Sequence, residues 1–252
     1  CGRVSGSDRL VDRGHSLPVL DALRASGVKL VPQDGSAVNA QTEAVVYSTA
    51  IEEGNPDFAA ARRAGVPLRH RAAVLAELAK GKPVLAVAGT AGKTTTTGML
   101  GWTLEQLGAD PTVINGGALV DWAGPGRVGN VRRGKADAPW VVEVDESDRS
   151  LLNFHPAWSI LTNISQDHFT LAEVQDLFRT YAAQVRTGIV CGAGVGAMLG
   201  TQQAQIVEMA AQPERTDDGF AVAWRGMKLA GRQPGAHNAL NALLAAEQCA
   251  QL

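Results

Sequence analysis

The chain has 252 residues, 45% of them hydrophobic and 19% charged, with a formal net charge of −2; that suffices for one large or two smaller domains and is unlike a disordered composition. No polynucleotide partner is expected, because the dense basic stretch within residues 127–135 stands alone in a chain with no basic excess. No apolar run approaches the roughly 18 residues that span a bilayer, and the Gly-, Ser- and Asp-rich start is unlike a secretory signal, so a soluble, cytoplasmic protein with no membrane partner is expected.

In chain order, residues 43–48 (E-A-V-V-Y-S) read as a short buried strand, and 56–64 and 71–80 as helices with apolar residues at helical spacing. Gly81, Lys82 and Pro83 then punctuate the chain, which places a first domain at 1–80 and a second at 81–252. Strands follow at 84–88, 112–115, 140–144, 159–162 and 189–191, and helices at 93–107, 171–185 and 237–251. This alternation predicts an α/β fold with a mainly parallel sheet and helices on both faces, whose ligands sit at the carboxyl ends of the strands.

Four motifs fall at such ends. Residues 84–97 read V-L-A-V-A-G-T-A-G-K-T-T-T-T, an apolar strand breaking into a Gly-rich turn, then Lys and four threonines. Such a loop cradles phosphates with backbone N–H groups. Lys93 supplies charge to the β/γ-phosphates and Thr94 a hydroxyl to Mg²⁺, so Gly89, Thr90, Ala91, Gly92, Lys93, Thr94 and Thr95 are the expected nucleoside-triphosphate-binding segment. Val87 stands where the general G-x-x-x-x-G-K-[ST] pattern has its first Gly, which points to a narrower group than P-loop proteins at large.

In the second motif, 141–148 (V-V-E-V-D-E-S-D), a strand ends in four carboxylates. Clustered acids repel one another unless a cation or bound donors offset the charge, and Glu143 is the first candidate for a Mg²⁺ ligand, directly or through water. The third, 161–168 (L-T-N-I-S-Q-D-H), sets His168 beside Asp167. A His there can ligate metal or meet a phosphate, although taken singly it is more often a capping or core residue. The fourth, 234–238 (P-G-A-H-N), opens a helix where Asn238 can pair with a base edge. The glycines of 192–196 (G-A-G-V-G) read as a tight turn in preference to a dinucleotide site. Cys1, Cys191 and Cys249 have no C-x-x-C spacing and no nearby His, so neither a disulfide framework nor structural zinc is expected.

In this order, G-T-A-G-K-T-T-T-T, E-V-D-E-S-D, T-N-I-S-Q-D-H and G-A-H-N resemble the motifs of the Mur ligases, the ATP-dependent amide-forming enzymes of bacterial cell-wall precursor synthesis. The resemblance extends to V-S-G-S-D at 4–8, V-V-Y-S-T-A-I at 45–51, I-N-G-G at 114–117 and G-N-V-R at 129–132, and is weak over 186–232. It is nearest the branch that adds L-alanine to UDP-N-acetylmuramate, in which the loop carries a His where this chain has Ala91. No Lys occurs between Lys135 and Lys228, matching that branch's lack of the carbamylated Lys used by several sister ligases.

The resemblance implies a partial Rossmann-like, UDP-sugar-binding domain at 1–80, incomplete at its start, and an ATP-binding central domain at 81–252, with the family's C-terminal domain apparently absent; the sequence is therefore expected to be a fragment. It implies Lys93, Glu143 and His168 as catalytic residues, Thr94, Glu143 and His168 on Mg²⁺, and His237 and Asn238 near the adenosine. It further implies Asp8 and Ser48 on the UDP part, Asn130 and Arg132 near the sugar nucleotide, and a reaction through an acyl phosphate. Three alternatives remain open at this point: a recycling ligase that attaches a tripeptide to UDP-N-acetylmuramate, a nucleotide-binding module without catalysis, and a P-loop kinase or NTPase acting on another small molecule. Ser147, where the recycling enzymes have E-Y-D, favours the alanine branch.

Overall fold

The computed structural model describes residues 3–15, 17–167 and 169–252. The chain forms two compact units, one taking in the described residues up to Leu78 together with Ala118–Gly129, the other Ala79–Gly117 with Asn130–Leu252.

In the first unit, β1 (Ser5–Gly6), α1 (Arg9–Asp12), α2 (Pro18–Ala25), β2 (Lys29–Leu30), β3 (Val45–Tyr47), α3 (Pro56–Ala64), β4 (Leu68–His70) and α4 (Arg71–Leu78) follow one another. They give two parallel two-stranded pairs, β1 with β2 and β3 with β4. Helix α3 starts where Asn55 accepts the Asp57 N–H and ends at Gly65, whose φ of +69° closes the last turn. Asp57 is buried because it accepts both the Ser7 hydroxyl at 2.6 Å and the Gly35 N–H at 2.9 Å. The strand expected to be buried over 43–48 is three residues long and its middle residue, Val46, is 53% exposed. Strand alternation accounts for this: Tyr47 packs edge-on against Phe58 and His70, and Val46 points to the opposite, uncovered face.

The second unit begins with β5 (Val84–Ala88), α5 (Lys93–Gln106), β6 (Thr112–Ile114), β7 (Val131–Arg132), β8 (Trp140–Glu143), β9 (Trp158–Leu161), α6 (Leu171–Ala182), β10 (Gly188–Gly192), α7 (Val195–Leu199) and β11 (Gln205–Met209). It ends with β12 (Glu214–Thr216), β13 (Gly219–Trp224), β14 (Met227–Gly231) and α8 (Ala236–Ala250). Seven strands make one sheet in the order β11-β10-β9-β5-β8-β6-β7, all parallel except for β7, which is antiparallel to β6. Every residue of β5, β9 and β10 is buried, as expected for inner strands of a parallel sheet covered on both faces.

Register then fixes what meets at the carboxyl edge. Val87 lies opposite Glu143 of β8 on one side and Ile160 of β9 on the other, so the residues following all three strands emerge together. Residues 186–232, where the family resemblance is weak, hold β11 and an antiparallel β12-β13-β14 sheet whose Phe220 and Val222 pack on Ala239 of α8.

Candidate nucleotide and metal site

Gly89 and Gly92 take φ of +128° and +86°. A Cβ at Gly89 would overlap the Thr162 hydroxyl, and one at Gly92 would come within 2.9 Å of Asn241 Oδ1. Both positions therefore need glycine for backbone shape and for close approach. The turn opens α5, whose first amides have no intrahelical acceptor and carry the positive end of the helix dipole.

The loop is braced from its flank by the residues after β9. Ala91 is clamped at both polar atoms: its N–H donates to Asn163 Oδ1 at 3.1 Å, and its carbonyl accepts from Asn163 Nδ2 at 2.8 Å and Thr162 Oγ1 at 2.6 Å. The Thr90 N–H donates to the Asn163 carbonyl and the Thr90 hydroxyl oxygen accepts the Ser165 N–H, each at 3.0 Å. Asn163 was absent from the sequence-based site. Its signal lay in T-N-I, but nothing in one dimension shows that this segment meets the loop 72 residues earlier in the chain.

Lys93 Nζ donates to Gly89 O at 2.9 Å, Thr90 O at 3.3 Å and Glu146 Oε2 at 2.7 Å. Glu146 is 3% exposed, and burial pushes its carboxyl above the ordinary value while the Lys93 hydrogen bond opposes that rise. The sequence reading favoured Glu143 within this acidic run and gave Glu146 no role; the structure places both at the loop. Glu143 Oε1 accepts the Thr94 hydroxyl at 3.0 Å and its Oε2 the Gly116 N–H at 2.7 Å. Asp145 and Asp148 accept the amides of Ser147 and Ser150. The repulsion expected within the cluster is thus offset by an ammonium, a hydroxyl and backbone donors.

The run of threonines divides. Thr94 is exposed and Thr95 half-buried, whereas Thr96 and Thr97 are wholly buried and pack inward. His168 lies outside the described residues, as does Cys1. Among the described residues no group of three or more His, Cys, Asp and Glu side chains is arranged to hold a metal ion. The oxygens of Thr94 and Glu143 nonetheless suit Mg²⁺, which is commonly held by one or two carboxylates with the remaining positions left to water and phosphate.

His237 is exposed at the start of α8. Asn238 Nδ2 donates to Pro234 O at 2.8 Å and its Oδ1 accepts from Asn241 at 3.3 Å, which carries α8 to the residue packed against Gly92. Asp8 caps α1 by accepting the Leu10 N–H at 2.7 Å, and Ser48 is half-buried just after β3. In the second unit the Asn130 carbonyl accepts the Asn115 N–H at 2.9 Å. The Arg132 guanidinium is already engaged by Glu105 at 2.9 Å, Asp110 at 2.7 Å and Pro111 O at 2.8 Å.

The chain matches the family descriptions "Mur ligase family, catalytic domain" over residues 3–83 and "Mur ligase middle domain" over residues 87–183. It is 41% identical over 196 residues to the UDP-N-acetylmuramate--L-alanine ligase of Gloeobacter violaceus, covering 75% of this chain and 40% of that protein. The enzyme of the same name from Symbiobacterium thermophilum is 43% identical over 152 residues, covering 58% of this chain and 30% of the relative. The matched stretches thus cover less than half the length of these curated relatives. Among solved structures, the UDP-N-acetylmuramate-alanine ligase of Thermotoga maritima superimposes with a TM-score of 0.77 at 26% identity, over 91% of this chain and 56% of that one. A UDP-N-acetylmuramate:L-alanyl-gamma-D-glutamyl-meso-diaminopimelate ligase from Neisseria meningitides shares the fold, with a TM-score of 0.80 at 24% identity over 98% of this chain and 85% of that one.

Proposed function

Because the chain belongs to the Mur ligase family, we propose that it carries the nucleotide-handling part of a cytoplasmic, ATP-dependent ligase that joins L-alanine to UDP-N-acetylmuramate in peptidoglycan precursor synthesis. The observation that supports this reading most strongly is the convergence of Lys93, Thr94 and Glu143 at one sheet edge, in a chain about 40% identical to ligases of that name.

The chemistry follows from the electrophile. A carboxylate resists attack by an amine, so ATP serves to convert it to an acyl phosphate, which the amino group then attacks with loss of phosphate. The loop over 89–94 is assigned to bind the triphosphate, and Lys93 to offset charge on the transferring group. Mg²⁺, when bound, neutralises charge on the phosphates; Thr94, Glu143 and His168 are the residues proposed to hold it. His237 and Asn238 are assigned to the adenosine, and Asp8, Ser48 and Asn130 to the sugar nucleotide. Arg132 is assigned an indirect part there, since its ion pairs tie β7 to the end of α5 and the segment leading into β6.

The test is phosphate release from ATP and Mg²⁺ by the full gene product, offered UDP-N-acetylmuramate with L-alanine, glycine, L-serine or the recycling tripeptide. Release that needs both the sugar nucleotide and L-alanine, and that falls about a hundredfold or more in Lys93→Ala, is expected. Dependence on the tripeptide would reassign the protein to the recycling ligases. Release indifferent to Lys93→Ala would overturn the mechanism.

A further inference from the structure

Lys93 is the cationic side chain that the loop offers a phosphate, and in the structure it already has partners. An ammonium has three donors, and its three partners here are Gly89 O, Thr90 O and Glu146 Oε2, at 2.9, 3.3 and 2.7 Å. The pair is well shielded, with side-chain exposures of 14% for Lys93 and 4% for Glu146. Glu146 reaches that position because the chain turns sharply after β8, Asp145 and Asp148 pinning the turn by accepting the amides of Ser147 and Ser150. A carboxylate this buried depends on its cation, since removing one partner of a buried ion pair strands the other.

We propose that Glu146 is an internal stand-in for the nucleotide's terminal phosphates: it holds the Lys93 ammonium at the loop and competes with ATP for it, at a cost in nucleotide affinity. The inference rests on the reading of 89–94 as an ATP-binding loop and adds to it a residue that positions the lysine without touching the reacting atoms. Two consequences separate this role from plain structural support. A supporting residue, once altered, weakens binding, whereas loss of a competing anion strengthens it. The effect must also run through Lys93, so the two residues are coupled.

The experiment is calorimetric titration of the chain with ATP and Mg²⁺, comparing wild type with Glu146→Gln, which keeps the side-chain shape and removes the charge. Retention of fold is checked by circular dichroism. The variant is expected to bind ATP about tenfold more tightly, the equivalent of about 1.4 kcal/mol. In parallel, thermal melting of Lys93→Ala, Glu146→Gln and the double variant should show each single change lowering Tm and the second change restoring part of the loss caused by the first. A folded Glu146→Gln with unchanged or weaker ATP affinity overturns the proposal, as do additive shifts in Tm. Failure of the wild type itself to bind ATP removes the loop reading and this inference with it, a result distinguishable from the others because no variant is needed to see it.

Discussion

Strands β5 and β10 lie in one sheet with only β9 between them, and each runs through glycines into a helix, yet the two turns end differently. Behind β10 the amides of Gly194 and Gly196 donate to the Glu208 carboxylate of β11 at 3.3 and 2.7 Å, so the adjacent strand supplies the acid that an anion-binding turn would take from solution. Behind β5 the acid that arrives, Glu146, meets the lysine side chain, and the segment after the neighbouring strand braces the loop through Asn163 at Ala91. Helix length follows the same division: α5 runs 14 residues and α7 only five. A Gly-rich strand-to-helix turn is thus a structural corner when the chain's own carboxylate takes the turn's amides, and a candidate phosphate site when the carboxylate meets the lysine side chain and the bracing comes from the side. The G-A-G-V-G turn at 192–196, read from the sequence as tight packing, has the former arrangement.

The sharpest way to break this comparison is to add a methyl group at each turn. Gly89→Ala meets Thr162 at a φ of +128°, whereas Gly194→Ala has open space and only its φ of +80° to contend with. Urea unfolding is expected to show a loss of about 3 kcal/mol for the first and about 1 kcal/mol for the second; equal losses would mean that the two turns are built alike. Next in size is the brace. Asn163→Ala removes two of the three hydrogen bonds that hold Ala91 and should raise the Kd for ATP about tenfold while costing stability on the order of 1–2 kcal/mol. If unfolding shifts and ATP affinity does not, the clamp serves the fold alone.

Smaller still, Glu208→Gln keeps an acceptor for the amides of the second turn and removes its charge, so a stability loss of about 1 kcal/mol with unaltered ATP affinity is expected. A change in ATP affinity would show that the second turn is not a separate corner. The least effect is on a thiol. Burial pushes Cys191 up to about 12, with Glu208 adding to the rise, and Cys249 up to about 11. Both values lie above the roughly 8.5 of an unfolded thiol, so the stability these residues lend is complete below that pH and drains away as pH climbs toward the folded values. Iodoacetamide should label native Cys191 slowly at pH 8, and modestly faster in Glu208→Gln; equal rates in the two proteins would discount the Glu208 contribution.

Legibility from sequence followed burial and periodicity. Strand 84–88 and helix 56–64 were readable to the residue, since a five-residue apolar run and an Asn-Pro start leave few alternatives. The helix expected over 171–185 ends at Ala182, and the carboxyl strand ends shifted by about one residue, because frayed ends depend on neighbours. The unit β12-β13-β14 was not foreseen at all, its short strands being packed against a helix that comes later in the chain.

What the amino-acid sequence determined by itself is the local chemistry: which turns need glycine, where a lysine and a threonine open a helix, and which strands are apolar enough to lie inside a parallel sheet. Those properties depend on residues a few positions apart. What only the tertiary structure decided is how charge is shared at the sheet edge. Glu146, 53 residues from Lys93, takes the ammonium, while Glu143, 49 residues from Thr94, takes the hydroxyl. The parallel register of β5 with β8 sets that assignment, because strand pairing brings distant carboxylates to one edge and burial then leaves each of them dependent on the donor it meets there.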